Sequence, residues 1–381
     1  MPRNRTIYQC EGVYAGPSPS TGRHFTTGNY GNITQQAGPN PMTPNQVAQL
    51  QRIQSANYSF SLNRTPVQQF GELAPIDRIL VEQPTVNLEF SYLLTSFFNE
   101  KIIGFFINSG NNVTAISGFL NKTSDDRNYF IKTVAEGNDL NTFPDNNTAF
   151  NSPVTAIGNG YITSYRSEGS VGNFPTVTVS VEGLNMNFDP ASTGQVIPAV
   201  FPANGNAVTG WFYTLPTGVT HASGQTVGEL TYAALRPGDI NLSIGWVEGG
   251  ITVSDAKIQS YSLAVDLNRD ALQQLGSKYA FSREIRFPVN VSLSVTADLG
   301  DLASGKLSEI INNNTDYNLS VTINKPGTSI NHVQYLIRGA NLDSQEFSSQ
   351  IGNNKSVTLN FTCPLGGPSM TGFGLYMSGA N

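Results

Sequence analysis

The chain has 381 residues, enough for two domains of ordinary size, and carries 21 Lys and Arg against 27 Asp and Glu for a formal charge of −6. Charged residues make up 13% of it, about half the usual share of roughly 25%, and the deficit is filled by Asn, Gln, Ser, Thr and 37 Gly. This balance excludes a protein that coats nucleic acid, which needs clustered Lys and Arg against phosphate; it suits a subunit buried by its own copies, because amides and hydroxyls are cheaper to desolvate than ions, and it also suits a secreted β-protein.

The chain opens MPRNRTIYQC, without the apolar run of a signal peptide. No window approaches a membrane span; SFFNEKIIGFFINSG comes nearest and is broken by Asn99, Glu100 and Lys101. Cys10 and Cys363 stand at opposite ends, and nothing in their spacing pairs them. Residues 11–50 are rich in Gly, Pro and Asn and read as a long arm. Its aromatic residues, among them Tyr14 and Tyr30, either fold back on their own domain or pack against a neighbouring subunit.

Residues 53–71 read IQSANYSFSLNRTPVQQFG, and residues 258–276 read IQSYSLAVDLNRDALQQLG. The offset of 205 (258 − 53) holds without a gap, with nine identities in nineteen positions including the tripeptides IQS and LNR. Val86, Leu88, Phe90 and Tyr92 alternate with polar neighbours, as do Val289, Val291, Leu293 and Val295 in the second copy. Period two over this length predicts a strand with one buried face. Short helices are expected at 96–106 and at 302–313. VGNFPTVTVSV (171–181) then matches IGNNKSVTLNF (351–361) at an offset of 180 (352 − 172), so the first copy holds about 25 more residues, placed in a loop-like stretch at 125–160.

A second arm, 188–230, precedes the second copy and carries Trp211, Phe212 and Tyr213, again candidates for contact with a neighbour. The expected organisation is two tandem copies of a β-sandwich, each with one flanking helix: 1–190 with the N-terminal arm and 191–381 with the second arm, the repeat cores being about 53–190 and 258–381.

No catalytic or metal constellation is legible. His24, His221 and His332 lie far apart, and HExxH, GxSxG and Walker patterns are absent. Asp125–Asp126 and Asp298/Asp301 read as caps of backbone N–H groups. No enzyme, cofactor or metal is expected. The LNR repeat is the most specific local signal: Asn63, Arg64, Asn268 and Arg269 are candidates for a polar contact that recurs at every domain–domain junction, or for one within each domain.

The run LNRxxxQQxG, a Pro, an alternating strand and one helix, in an amide-rich and charge-poor chain, resembles the tail tube proteins of tailed bacteriophages. The opening IYQCEGVYAGPSPSTG is also similar to the starts of phage virion proteins. The resemblance implies a virion structural protein made in the host cytoplasm, whose sheets join across subunits into a barrel around a lumen. It implies stacked rings, three duplicated chains giving pseudo-sixfold symmetry, contact with other virion proteins, and DNA passing through without specific binding. A capsid decoration or head–tail protein, and a carbohydrate-binding tail module, remain alternatives.

Overall fold

The computed structural model describes residues 11–17, 24–27, 33–36, 47–108, 110, 112–120, 125–134, 136, 140, 152–192, 195–196, 198–200, 206, 213–215, 235–243, 256–277, 279–280, 282–299, 316–325, 331–351, 354–367 and 372–379. Within them the protein is mostly β, as the alternating patterns predict.

Besides the short pairs His24–Thr27 with Ile33–Gln36 and Gln195–Val196 with Tyr213–Thr214, and Ala48–Gln49, nine strands form the main body of the first half among the described residues: β1 (Glu11–Pro17), β2 (Ile53–Ser61), β3 (Arg64–Val67), β4 (Asp77–Leu80), β5 (Thr85–Leu93), β6 (Arg127–Thr133), β7 (Ser152–Ser170), β8 (Thr176–Gly183) and β9 (Asn185–Ser192). Nine build the second: β10 (Ile240–Ser243), β11 (Ala256–Asp266), β12 (Arg269–Leu272), β13 (Ser282–Ile285), β14 (Asn290–Leu299), β15 (Tyr317–Asn324), β16 (Asn331–Ser348), β17 (Ser356–Pro364) and β18 (Gly374–Gly379). Each of these nine strands of the first half has its counterpart nine numbers on. Two short helices, α1 (Phe98–Ile103) and α2 (Ser117–Leu120), follow β5.

The pairings recur as well as the strands. Ile53 faces Tyr92 across β2 and β5, and Ile258 faces Ala297 across β11 and β14, both displaced by 205. A bulge interrupts each ladder at the same place, Gln54 and Gln259. Val181 faces Ile162 across β8 and β7, and Phe361 faces Leu342 across β17 and β16, both displaced by 180 and both followed by a bulge.

The long strands β7 and β16 each serve two ladders. The first part of β7 pairs with β6 and β9, and its last part with β8. The crossover falls at a bulge where Asn159 has φ 52; its counterpart in β16 is Gly339 at φ 69. A left-handed residue there lets one strand turn from one sheet into the other. Hairpins β3–β4 and β12–β13 pair in the same register, Arg64 with Leu80 and Arg269 with Ile285, and turn at Gly71 (φ 90) and Gly276 (φ 84).

The apolar sides of both halves enter one cluster, with Phe90, Tyr92, Val179 and Phe97 from the first half and Leu263, Leu293, Tyr335 and Phe361 from the second. The halves also interlock at β18, whose Leu375 and Met377 carbonyls accept from Ala115 and Asn108 of the first half.

Four expectations change. Residues 125–160 are not one loop: β6 and the start of β7 lie there, built from the apolar run Tyr129–Ile131 and the buried Val154, Ala156 and Ile157. The offset falls from 205 to 190 between β5 and β6, then to 180 before β7, so the surplus is split on either side of β6. The expected helix at 96–106 is confined to Phe98–Ile103, and α2 is an addition; the one expected at 302–313 lies outside the described residues. The two arms are not wholly irregular. Glu11–Pro17 of the first arm is a strand between β6 and Ala48–Gln49, recruited because Val13 and Ala15 bury against the core, and in the second arm Gln195–Val196 pairs with Tyr213–Thr214; beyond that arm, Ile240–Ser243 lies on β15 with Leu242 in the core.

One contrast between the halves is energetic. Leu267 is 0% exposed, whereas its counterpart Leu62 is 42% exposed. Chemical denaturation of the dilute chain is expected to show Leu267→Ala losing about 2–5 kcal/mol and Leu62→Ala less than about 1 kcal/mol.

Candidate assembly interface

A seam joins the halves into one sheet. The last part of β7 pairs with β11, from Ser164 against Asp266 to Ser170 against Ser260. The seam is closed at its ends by Leu267 N–H donating to the Thr163 carbonyl (2.8 Å) and Val171 N–H to the Gln259 carbonyl (2.9 Å). The resulting order is β10–β15–β16–β17–β14–β11–β7–β8–β5–β2.

From the last part of β16 to β2 this order runs through eight strands, and both ends of that eight-strand portion are open among the described residues. β2 pairs only with β5 along one side, and Asn341–Ser348 of β16 pairs only with β17. β2 is the counterpart of β11, yet its burial is reversed. Tyr58 and Phe60 are 38% and 54% exposed, while Leu263 and Val265, at the same positions beside the seam, are 0% exposed.

The seam has a polar lock. Arg269 enters on hairpin β12–β13, its side chain 2% exposed. Its Nη1 and Nη2 donate to the two carboxylate oxygens of Asp125 at 2.5 and 2.8 Å. Its Nε donates to the Ile162 carbonyl (3.0 Å), and its guanidinium lies 5.0 Å from the Tyr161 ring centroid. This planar, bidentate geometry is specific to arginine. Burial pushes the Asp125 carboxyl upward, and Arg269 opposes that shift. Asp125 is therefore an ion-pair partner and not the expected cap. Arg283 of the same hairpin pairs with Glu182 at 2.5 Å, and the Ala280 N–H donates to Gln83 Oε1 (2.8 Å).

Arg64, the counterpart of Arg269, is exposed on β3. Asn63 donates to Glu82 (3.0 Å), and the Asn268 carbonyl accepts from the Arg286 N–H (2.8 Å), so the two asparagines serve their own hairpins. Tyr14 is buried against Phe130 and Val154 of its own half, leaving it no face for a neighbour. The Tyr213 backbone pairs with Val196. Tyr30, Trp211 and Phe212 lie outside the described residues. The signal missed in the sequence is Arg78/Arg283, an identity at the offset of 205 that falls beyond the 53–71 window.

The two faces of the sheet differ sharply. One, followed across the registers, presents Ser59, Asn87, Ser180, Thr178, Ser262, Ser294, Asn360 and their neighbours. Within these eight strands that face holds six carboxylates (Glu89, Glu168, Glu182, Asp266, Asp298 and Glu346), of which Glu182 is neutralised by Arg283, against two cations, Arg166 and, at the rim, Lys257. Hydroxyls and amides bridge its strands, as in Ser55–Ser91 (2.6 Å) and Asn360–Ser344 (2.8 Å). The opposite face carries the apolar core.

Beneath the seam sits Glu100 of α1, fully buried. Tyr92 and Tyr165 hydroxyls donate to its Oε1 at 2.7 and 3.0 Å, and Tyr165 in turn meets Tyr335 of the second half at 2.7 Å. Glu100 Oε2 has no hydrogen-bond partner among the described residues. Burial outweighs the two hydroxyls and raises the carboxyl to about 7 from 4.5. A carboxyl whose folded value is raised favours folding fully below its unfolded value, and that contribution is lost as pH climbs through the folded one. Stability is thus expected to fall between about pH 4.5 and 7, by roughly 3 kcal/mol. Denaturation of Glu100→Gln at pH 5 and pH 8 is expected to remove most of that difference, and an unchanged pH profile would contradict it.

No protein-family model matches the chain, and no curated protein does. Among solved structures, it is similar to a chain of the anti-feeding prophage (AFP) baseplate, 6-fold symmetrised, determined by cryo-electron microscopy. The identity is 11% and the TM-score 0.24, and the match covers 37% of this chain and 91% of that one.

Proposed function

We propose that this chain is an internally duplicated virion structural protein and not an enzyme: a tail tube subunit that closes with copies of itself into rings, which stack into a conduit for DNA. The observation that carries this reading is the eight-strand sheet, polar and net acidic on one face, apolar on the other and, among the described residues, open at both ends.

An open sheet edge is an aggregation hazard unless something pairs with it. Here the two open edges differ, so copies join head to tail, and a head-to-tail contact closes into a ring when its rotation allows. Strand spacing sets the size. Eight strands at ~4.8 Å give a circumference of about 38 Å, a barrel that side chains would fill. Three chains give about 115 Å and a diameter near 37 Å before strand tilt, wide enough for a DNA duplex. The hydroxyl and amide face then lines the lumen, and its excess carboxylates repel phosphate, so DNA slides without binding. The resemblance of the LNR repeat to tail tube proteins points the same way.

Negative-stain electron microscopy of the purified chain tests the proposal. Hollow rings or tubes with a stain-filled centre are the expected result; monomers at all concentrations, or solid particles, would overturn it.

A further inference from the structure

We infer that the contact between copies is a pared-down version of the seam inside each chain, in one fixed register: β2 of one copy pairs with the Ser344–Ser348 segment of β16 in another, and Arg64 of the first docks beside the Leu342 carbonyl of the second. This rests on the self-assembly proposed above and adds the partner surface and its lock.

Both halves of the contact exist in the chain as counterparts of paired elements. β2 corresponds to β11 at the offset of 205, and the last part of β16 corresponds to the last part of β7 at 180. Carrying the seam over, Ser164 against Asp266 becomes Ser344 against Ser61, Arg166 against Ala264 becomes Glu346 against Ser59, and Ser167 against Leu263 becomes Phe347 against Tyr58. The end bonds become Leu62 N–H to the Asp343 carbonyl and Ile351 N–H to the Gln54 carbonyl. The exposures fit this occupant. Tyr58, Phe60 and Leu62 on one edge, and Phe347 and Ile351 on the other, are all exposed large hydrophobics. The first three stand where Leu263, Val265 and Leu267 are buried beside the seam.

The polar lock carries over only in part. Leu342 holds the position of Ile162, whose carbonyl accepts from Arg269. The counterpart of Asp125 falls at 315, outside the described residues, and the exposed Asp316 beside it offers a carboxylate to Arg64. The second ion pair is missing: Arg78 replaces Arg283, but Thr362 stands where Glu182 does. The contact between chains therefore lacks one salt bridge of the seam and separates first.

Disulfide trapping tests the register. A chain carrying both Glu346→Cys and Ser59→Cys, oxidised under assembly conditions, is expected to give a ladder of covalent multimers on a non-reducing gel. Neither single variant, nor the slipped pair Glu346→Cys with Phe60→Cys, is expected to do so. Arg64→Ala is expected to weaken assembly roughly ten- to hundredfold. Thr362→Glu, which supplies the missing partner for Arg78, is expected to strengthen it about fivefold. If the unaltered chain assembles but the slipped pair cross-links, or Thr362→Glu weakens assembly, the register is wrong. If the unaltered chain stays monomeric throughout, the self-assembly reading falls with it.

Discussion

Backbone hydrogen bonding at a sheet edge is the constraint from which the rest of this molecule follows. A strand in the middle of a sheet satisfies its N–H and C=O groups on both sides; a strand at the edge leaves one row unpaired. Between the two halves that requirement is met where β7 accepts β11, and meeting it buries Leu263, Val265 and Leu267 and brings Arg269 onto Asp125. At β2 the same kind of strand has no such neighbour among the described residues, and the same apolar positions stay exposed. One sequence pattern thus appears in two environments, and the difference between them measures what a neighbour supplies.

The two halves are alike in pairing and unlike in chemistry. The bulges at Gln54 and Gln259, and the left-handed residues Asn159 and Gly339, hold the same places, so the backbone path is common to both. The arginines that lock the seam recur in both halves, but their carboxylate partners do not. Glu182 has Thr362 as its counterpart, and Glu100 lies in α1, in the segment between β5 and β6 where the first half is longer. A buried ion pair fixes geometry more than it adds stability, because desolvation offsets much of the attraction. Concentrating such pairs at the internal seam specifies how the two halves meet. The outer edge on the second half carries Thr362 where the seam has Glu182.

Much of the fold was legible because strands with one buried face write their period directly into the sequence. Val86 to Tyr92 and Val289 to Val295 alternated as expected, and the IQS and LNR repeats marked corresponding strands and hairpins. What stayed hidden has physical reasons. β7 changes sheet midway, so its buried side chains change phase at Gly158–Asn159 and no single period describes it. β1 is buried on both faces, with Val13, Tyr14 and Ala15 all enclosed, and its last residues Gly16 and Pro17 read as loop. Asp125 looked like a cap because its partner Arg269 is 144 positions away, a pairing that only the folded seam brings together.

On the proposed assembly β2 completes its hydrogen bonds on a second copy of the chain, and amide hydrogen exchange reads this directly. In dilute monomer, the N–H groups of Ser55–Ser61 should exchange much faster than those of Ser260–Asp266, since only the second set lies beside a seam. On assembly the two sets should become equally protected, while the strands already paired on both sides change little. Protection of β2 in the monomer, or fast exchange of β2 in assembled particles, would contradict the account.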